Sequence, residues 1–212
     1  MNIEEKAQEI YRILDVSSDE RIEFLEFTSP FELLISVILS AQTTDNQVNK
    51  VTPALFSSFP TPIDLASAPV HEVEHIIHST GFYKNKAKNI CMASSVLVKN
   101  FNSSVPLDMD SLLTIPGVGR KTASVILGRI ANKGAIIVDT HFLRVVNRLG
   151  LVATKDPYAI EMQIKKIMSE DKQYRFSMTV NLHGRRVCFS RTPSCSSCLL
   201  AHLCDYLMVT SV

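Results

Sequence analysis

Three places in the chain combine residue types that do chemistry. The first is Leu113-Thr114-Ile115-Pro116-Gly117-Val118-Gly119-Arg120-Lys121-Thr122-Ala123, which reads as a tight turn between two helices. Pro116 cannot donate the next helical hydrogen bond, so the helix through Leu112 and Leu113 stops there. Gly117 and Gly119 allow positive φ and let another backbone come close. From Arg120 onward, Ala123, Ile126, Leu127 and Ile130 recur at helical spacing. The N–H groups of the turn and of the first helical turn then lack intrahelical acceptors at a positive helix end, a site for one phosphate. Lys121 sits just inside that site. A lysine there ordinarily pairs with phosphate, but its unprotonated amine can also attack a carbon electrophile and form a Schiff base.

The second place is Asp139-Thr140-His141, ahead of a helix that runs through Leu149 to Gly150. Asp139 reads first as an N-cap. A carboxylate at the mouth of a basic site can also stabilise positive charge developing on a sugar, or take a proton. Arg144 and Arg148 lie four apart on one helix face, with His141 a turn before Arg144, a stripe suited to solvent or to phosphate. The third place is Cys188-x6-Cys195-x2-Cys198-x5-Cys204. Four thiolates so close in sequence, with one CxxC, indicate a single four-coordinate centre, and the spacing admits either zinc or an iron–sulfur cluster. His183 and His202 are neighbours, but four sulfurs already complete a site. Arg185, Arg186 and Arg191 surround the loop. The fifth cysteine, Cys91, reads as a small core residue.

Composition narrows the partners. The 212 residues are 46% apolar and 20% charged, with 22 Lys/Arg against 21 Asp/Glu, an ordinary globular balance. The charge is unevenly placed. Between Leu112 and Gly150 six bases face one acid, whereas the first 32 residues hold nine acids and three bases. One basic face on a near-neutral chain suits a nucleic-acid partner. No apolar run is long enough to span a bilayer, and the N-terminus is acidic and helical rather than a signal peptide. An intracellular, cytoplasmic protein is expected, nucleoid-associated if bacterial, in a reducing compartment where thiols bind metal. Nothing resembles a dimer seam, so a monomer is the expected state.

Helices must position these groups. Ile3, Ala7, Ile10, Tyr11 and Leu14 form one stripe, predicting a helix over 2–15. Ser29-Pro30-Phe31-Glu32 is a capping box that opens Phe31–Ala41, apolar on nearly all sides and therefore central and buried. Asp45 is expected to cap the next helix through Phe56, and Asp64 a short one. Another short helix covers Pro69–His78, closed by Gly81. After a loop Phe82-Tyr83-Lys84-Asn85, residues Lys86–Phe101 make a helix with Ala87, Ile90, Cys91, Ser94 and Leu97 inward. Gly134 precedes the extended Ala135-Ile136-Ile137-Val138. Asp156-Pro157 caps a further helix, and the last covers roughly Tyr174–Arg186. No period-two pattern persists, so the fold class is all-α.

These stretches, taken together, resemble the endonuclease III family, bifunctional DNA glycosylase/AP lyases of the helix-hairpin-helix superfamily. The likeness rests on the Leu113–Ala123 turn, Val138-Asp139-Thr140-His141, Leu182-His183-Gly184-Arg185 and the cysteine ending. It extends to Ser29-Pro30-Phe31-Glu32-Leu33-Leu34, Leu39-Ser40-Ala41-Gln42-x-Thr44-Asp45-x-x-Val48-Asn49-Lys50 and Gly81-Phe82-Tyr83-x-x-Lys86-Ala87-x-Asn89-Ile90. It covers nearly the whole chain, in order. It implies a two-domain fold with DNA held between the domains. Residues 22–133 would form a six-helix domain with the helix-hairpin-helix motif at about 108–128, and 1–21 with 134–212 a cluster domain. The resemblance implies a 4Fe-4S cluster on Cys188, Cys195, Cys198 and Cys204, and a damaged double-stranded DNA substrate. It implies Lys121 as nucleophile and Asp139 as catalytic carboxylate, removing oxidised pyrimidines and cleaving 3′ to the site by β-elimination. Gln42 matches the residue that fills the gap left by the flipped base, and Phe82 the wedge in the opposite strand. Gly117 and Gly119 would contact phosphate, with Arg120, His141, Arg144, Arg185, Arg186 and Arg191 completing the DNA-binding set. One departure is Met178-Thr179-Val180-Asn181, where the family often carries an aromatic residue before Leu-His-Gly. The adenine-removing branch of the superfamily lacks the hairpin lysine and has a carboxylate where this chain has Ser36-Val37-Ile38-Leu39-Ser40. A non-catalytic docking module would need neither Lys121 nor Asp139.

Overall fold

The computed structural model describes residues 1–18 and 24–210, and among these every regular element is helical. Contacts divide the chain into two compact units, Met1–Ile22 with Asn132–Val212, and Glu23–Ala131. The expected boundary between residues 21 and 22 lies outside the described residues.

The Glu23–Ala131 unit is built round α2 (Pro30–Leu39). Ser29 caps it by accepting from the Glu32 N–H at 3.2 Å, and Pro30 sits at its first position, where a missing N–H costs nothing. Phe31 and all residues from Leu33 to Leu39 are buried, which is what an all-round apolar helix requires. The helix stops at Leu39, with Ser40 as its C-cap and Ala41 beyond it. Around it lie α3 (Asp45–Ser58), α4 (Pro62–Ser67), α5 (Val70–Ile77), α6 (Tyr83–Asn100), α7 (Met109–Leu113) and α8 (Arg120–Ile130). That makes seven α-helices among the described residues of this unit. Pro69 divides α4 from α5, because it lacks a donor and holds Ala68 extended. One shared core runs from Phe31 to Leu127 and includes Ala87, Ile90, Cys91 and Leu97.

Several helix starts differ from the sequence expectation. Thr44, not Asp45, caps α3, its hydroxyl accepting from the Gln47 N–H. Thr61 caps α4, and Asp64 returns the bond to the Thr61 N–H from inside the first turn. The stretch Tyr83–Asn85 is helix rather than loop, since Gly81 and Phe82 make the turn, with φ +67° and +48°.

In the other unit, α1 (Ile3–Val16), α9 (Thr140–Arg148), α10 (Pro157–Ile167) and α11 (Glu170–Arg186) enclose a second core, and α12 (Asp205–Thr210) follows them in the chain. Phe142 and Phe176 meet edge to face at 6.0 Å inside it. Helix α11 begins four residues before the expected Tyr174, and its first turn carries Glu170 and Asp171, charges that suit a helix N-terminus. Among the described residues no helix is long and apolar enough to cross a membrane.

Candidate functional site

The hairpin turn is anchored by its apolar residues. Ile115 and Val118 are buried, and the Val118 N–H donates to the Ile115 carbonyl at 3.0 Å. The glycines on either side of Val118 have different duties. Gly117 has φ +81°, and a Cβ there would stand 3.1 Å from Ile38 Cγ2 and 3.3 Å from Asn89 Cβ. Only glycine fits. Gly119, by contrast, is extended at φ −99° and a Cβ would meet nothing within 4 Å. Of the two glycines only Gly117 uses the positive φ open to it, because Gly119 has already passed into the N-cap conformation of α8. The N-cap of α8, Gly119, has no side chain to cap with, and the first turn carries no acid. The N–H groups of Lys121 and Thr122 in that first turn suit a group from outside. Arg120 and Lys121 are its first two residues, Lys121 exposed and Arg120 half-buried.

The start of α9 is built the opposite way. Asp139 is its N-cap, half-buried, and one carboxylate oxygen accepts from the N–H groups of His141 at 2.9 Å and Phe142 at 2.8 Å. The second oxygen accepts from the Asn181 side-chain amide. Asn181 is buried, and its own Oδ1 has no partner among the described residues. Sequence reasoning did not single out Asn181. The available signal was an amide on the buried side of a helix, which demands a partner.

The arginines expected to face DNA do not all do so with free donors. Arg144 Nε donates to the Cys188 carbonyl at 3.0 Å and Nη2 to the Gly184 carbonyl at 2.9 Å, with His141 Nδ1 at 3.2 Å. Arg148 donates to the carbonyls of Phe189 and Ser190 and lies 3.3 Å from the Cys188 sulfur. Both therefore brace the cysteine segment, a role that the stripe reading did not contain. Gly184 lets α11 approach α9 closely, for a Cβ there would be 3.0 Å from His141 Cβ. Arg185 and Arg186 at the end of α11, and Arg191 in the loop, are exposed. So are Gln42 and Phe82, both on the Glu23–Ala131 unit.

Cys188, Cys195, Cys198 and Cys204 line one pocket, together with Val145, Arg148, His183 and Tyr206. His183 Nε2 is 3.6 Å from the Cys198 sulfur, and burial lowers its basicity. Burial raises the Cys198 thiol, and the thiolate charges of Cys188, Cys204 and Cys195 add to that. Among the described residues no three His, Cys, Asp or Glu side chains converge as ligands of one metal ion.

Helices of this kind, with a glycine hairpin and an aspartate-capped helix after it, define a class. Residues 35–170 match the model of the HhH-GPD superfamily of base excision DNA repair proteins. Within that class, the chain is 45% identical over 201 residues to endonuclease III of Synechocystis sp., covering 94% of this chain and 92% of the relative. A solved non-covalent endonuclease III–DNA complex is 37% identical with a TM-score of 0.91, over 100% of this chain and 99% of that one. A trapped endonuclease III–DNA covalent intermediate, an estranged-adenine complex, is 39% identical with a TM-score of 0.88, over 97% and 99%. The chain belongs to the endonuclease III family.

Proposed function

We propose that this chain is a base-excision DNA glycosylase and AP lyase that removes oxidised pyrimidines from duplex DNA through a Schiff base at Lys121. The observation that carries the assignment of Lys121 is the open end of α8. An exposed amine stands in the first turn of a helix with neither a side-chain cap nor an acid of its own. That end can hold a phosphate while the amine one step inside faces the sugar.

Turning the base out of the duplex costs roughly a few kcal/mol, less at a lesion. The Lys121 amine attacks C1′, the C1′–N glycosidic bond breaks, and the base leaves with a proton. The sugar ring then opens to the C1′=Nζ iminium. Loss of a C2′ proton expels the 3′ phosphate and breaks the strand. Asp139 supplies the carboxylate that balances developing charge and handles the proton. Its orientation is held by two backbone N–H groups and Asn181. Gln42 and Phe82 occupy the opened duplex, an apolar wedge being a common device for unstacking. The backbone at Gly117 and Gly119, with Arg120, His141, Arg185, Arg186 and Arg191, contacts phosphates. Arg144 acts by bracing the loop.

The four-thiolate pocket fits a 4Fe-4S cluster, whose usual ligands are four cysteine sulfurs. Cys188, Cys195, Cys198 and Cys204 would hold it. Bound there, it cross-links the loop that presents Arg191. The protein is expected to work as a cytoplasmic monomer.

Borohydride trapping on a duplex with one thymine glycol tests the reading. Wild type is expected to give a covalent adduct and Lys121→Gln none, with duplex binding retained. Base release by wild type without an adduct would indicate a monofunctional glycosylase. Binding with neither would indicate a docking module.

A further inference from the structure

Lys86 is buried where electrostatics disfavours a cation. Only 5% of it is exposed, and it closes the first turn of α6, a helix end that is already positive. No carboxylate among the described residues forms an ion pair with it. Burial pushes its amine below the usual lysine value. Its ammonium donates instead to the Thr80 carbonyl at 2.9 Å and to the Thr43 hydroxyl. That hydroxyl in turn donates to the same Thr80 carbonyl. Beside the Thr43 and Thr80 segments a second tie runs from the first turn of α3, Gln47 Nε2 donating to Ser79 Oγ at 2.6 Å.

The two segments are the ones that carry Gln42 and Phe82. Thr43 follows Gln42, at φ +54°, and Thr80 precedes Gly81 and Phe82, at φ +67° and +48°. A non-glycine residue in the left-handed region costs about 1–2 kcal/mol and persists only where its surroundings over-determine it. Both strained residues are exposed, Phe82 to 67%, so their own side chains do not hold them. The ties beside them do.

We propose that Lys86 is a positioning residue that clamps the Ser40–Thr44 and His78–Phe82 segments, so that Gln42 and Phe82 meet the duplex at a fixed spacing while a base is turned out. The proposal rests on the glycosylase reading for its purpose, and on the bond network for its geometry. An ammonium suits the task better than a neutral donor, because its bonds to a carbonyl and a hydroxyl are charge-assisted.

Lys86→Met keeps an unbranched side chain one atom shorter and removes the charge. Replacing a buried ion with an apolar group of similar volume is often neutral for stability, and the Thr43–Thr80 bond survives, so the melting temperature should hold. Two readouts then separate positioning from folding. The first is the fluorescence rise of 2-aminopurine placed beside a thymine glycol, under saturating protein. The second is cleavage of a single-stranded abasic oligonucleotide, which needs no duplex opening. Lys86→Met is expected to lose most of the fluorescence rise and about 10- to 100-fold in kcat/KM on the lesion duplex, and to cleave the single strand as wild type does. Wild-type fluorescence and duplex turnover would overturn the clamp, as would an equal loss on both substrates. If Lys86→Met does not fold, Thr43→Val decides, with a smaller loss in the same direction expected and no loss overturning the proposal. The fluorescence needs binding alone. A failed clamp is therefore distinct from a failed glycosylase reading, which shows as no trapped adduct with wild type.

Discussion

Helices α8 and α9 begin in opposite ways. At α8 the N-cap is Gly119, with no side chain to accept a bond and no acid in the first turn. At α9 the N-cap is Asp139, whose carboxylate takes two backbone donors and a third from Asn181. Both ends carry the same partial positive charge. One has no capping side chain of its own and so suits an outside anion. The other answers that charge with a carboxylate, which is thereby fixed in place while one of its oxygens still has acceptor capacity. A helix terminus can thus be a binding site or a mount for a side chain, and the cap residue decides which.

The largest effect should come from separating the charge of Asp139 from its capping. Asparagine caps as well as aspartate, so Asp139→Asn should leave stability within about 0.5 kcal/mol of wild type while lowering strand cleavage about 100-fold or more. Asp139→Ala should lose the same activity and about 1 kcal/mol of stability as well. Urea unfolding beside single-turnover cleavage reads both. Equal activity in wild type and Asp139→Asn would reduce Asp139 to a cap.

The glycines on either side of Val118 sharpen the contrast from the α8 side. Gly119→Ala enters open space at an ordinary φ, so the fold should barely notice it. The methyl group would stand where a phosphate is expected to meet the backbone, and duplex affinity should fall about 10-fold through a lost charge-assisted bond. The dependence of affinity on salt should become shallower too. Gly117→Ala should do the reverse. Its positive φ and its contacts with Ile38 and Asn89 predict a loss of about 1–3 kcal/mol in stability. Paired titrations and melts on the two variants distinguish a ligand-facing glycine from a fold-facing one.

What the sequence made legible was local. The hairpin, the Asp139 cap, the buried α2 and the cysteine spacing each lie within about a dozen and a half residues, where proline, glycine, cap and periodicity rules apply directly. Helix starts slipped where two capping residues stand close together, as with Thr44 and Asp45, or where the turn uses a residue with no cap chemistry, as at Phe82. The rest depended on partners distant in the chain. Asn181 meets Asp139 across 42 positions, Lys86 meets Thr43 across 43, and Arg144 meets Cys188 across 44. Arg144 and Arg148 looked like a surface stripe because helical spacing reveals a face, not what covers it.

Asn181 offers the finest division of the α9 site. It is buried, gives one bond to the free oxygen of Asp139, and leaves its own Oδ1 without a partner among the described residues. Asn181→Leu keeps a similar volume and removes both the bond and the orphan oxygen. An unsatisfied buried oxygen costs about 1–3 kcal/mol, so the variant should be as stable as wild type or more so. The carboxylate would then be held through one oxygen only, free to rotate its other, and turnover should fall by up to about 10-fold, the equivalent of one hydrogen bond to a charged group. A variant that gains stability and loses turnover marks Asn181 as a residue kept for orientation rather than for the fold. Full turnover in Asn181→Leu would mean that the two backbone donors are enough. The mount would then be the helix terminus alone.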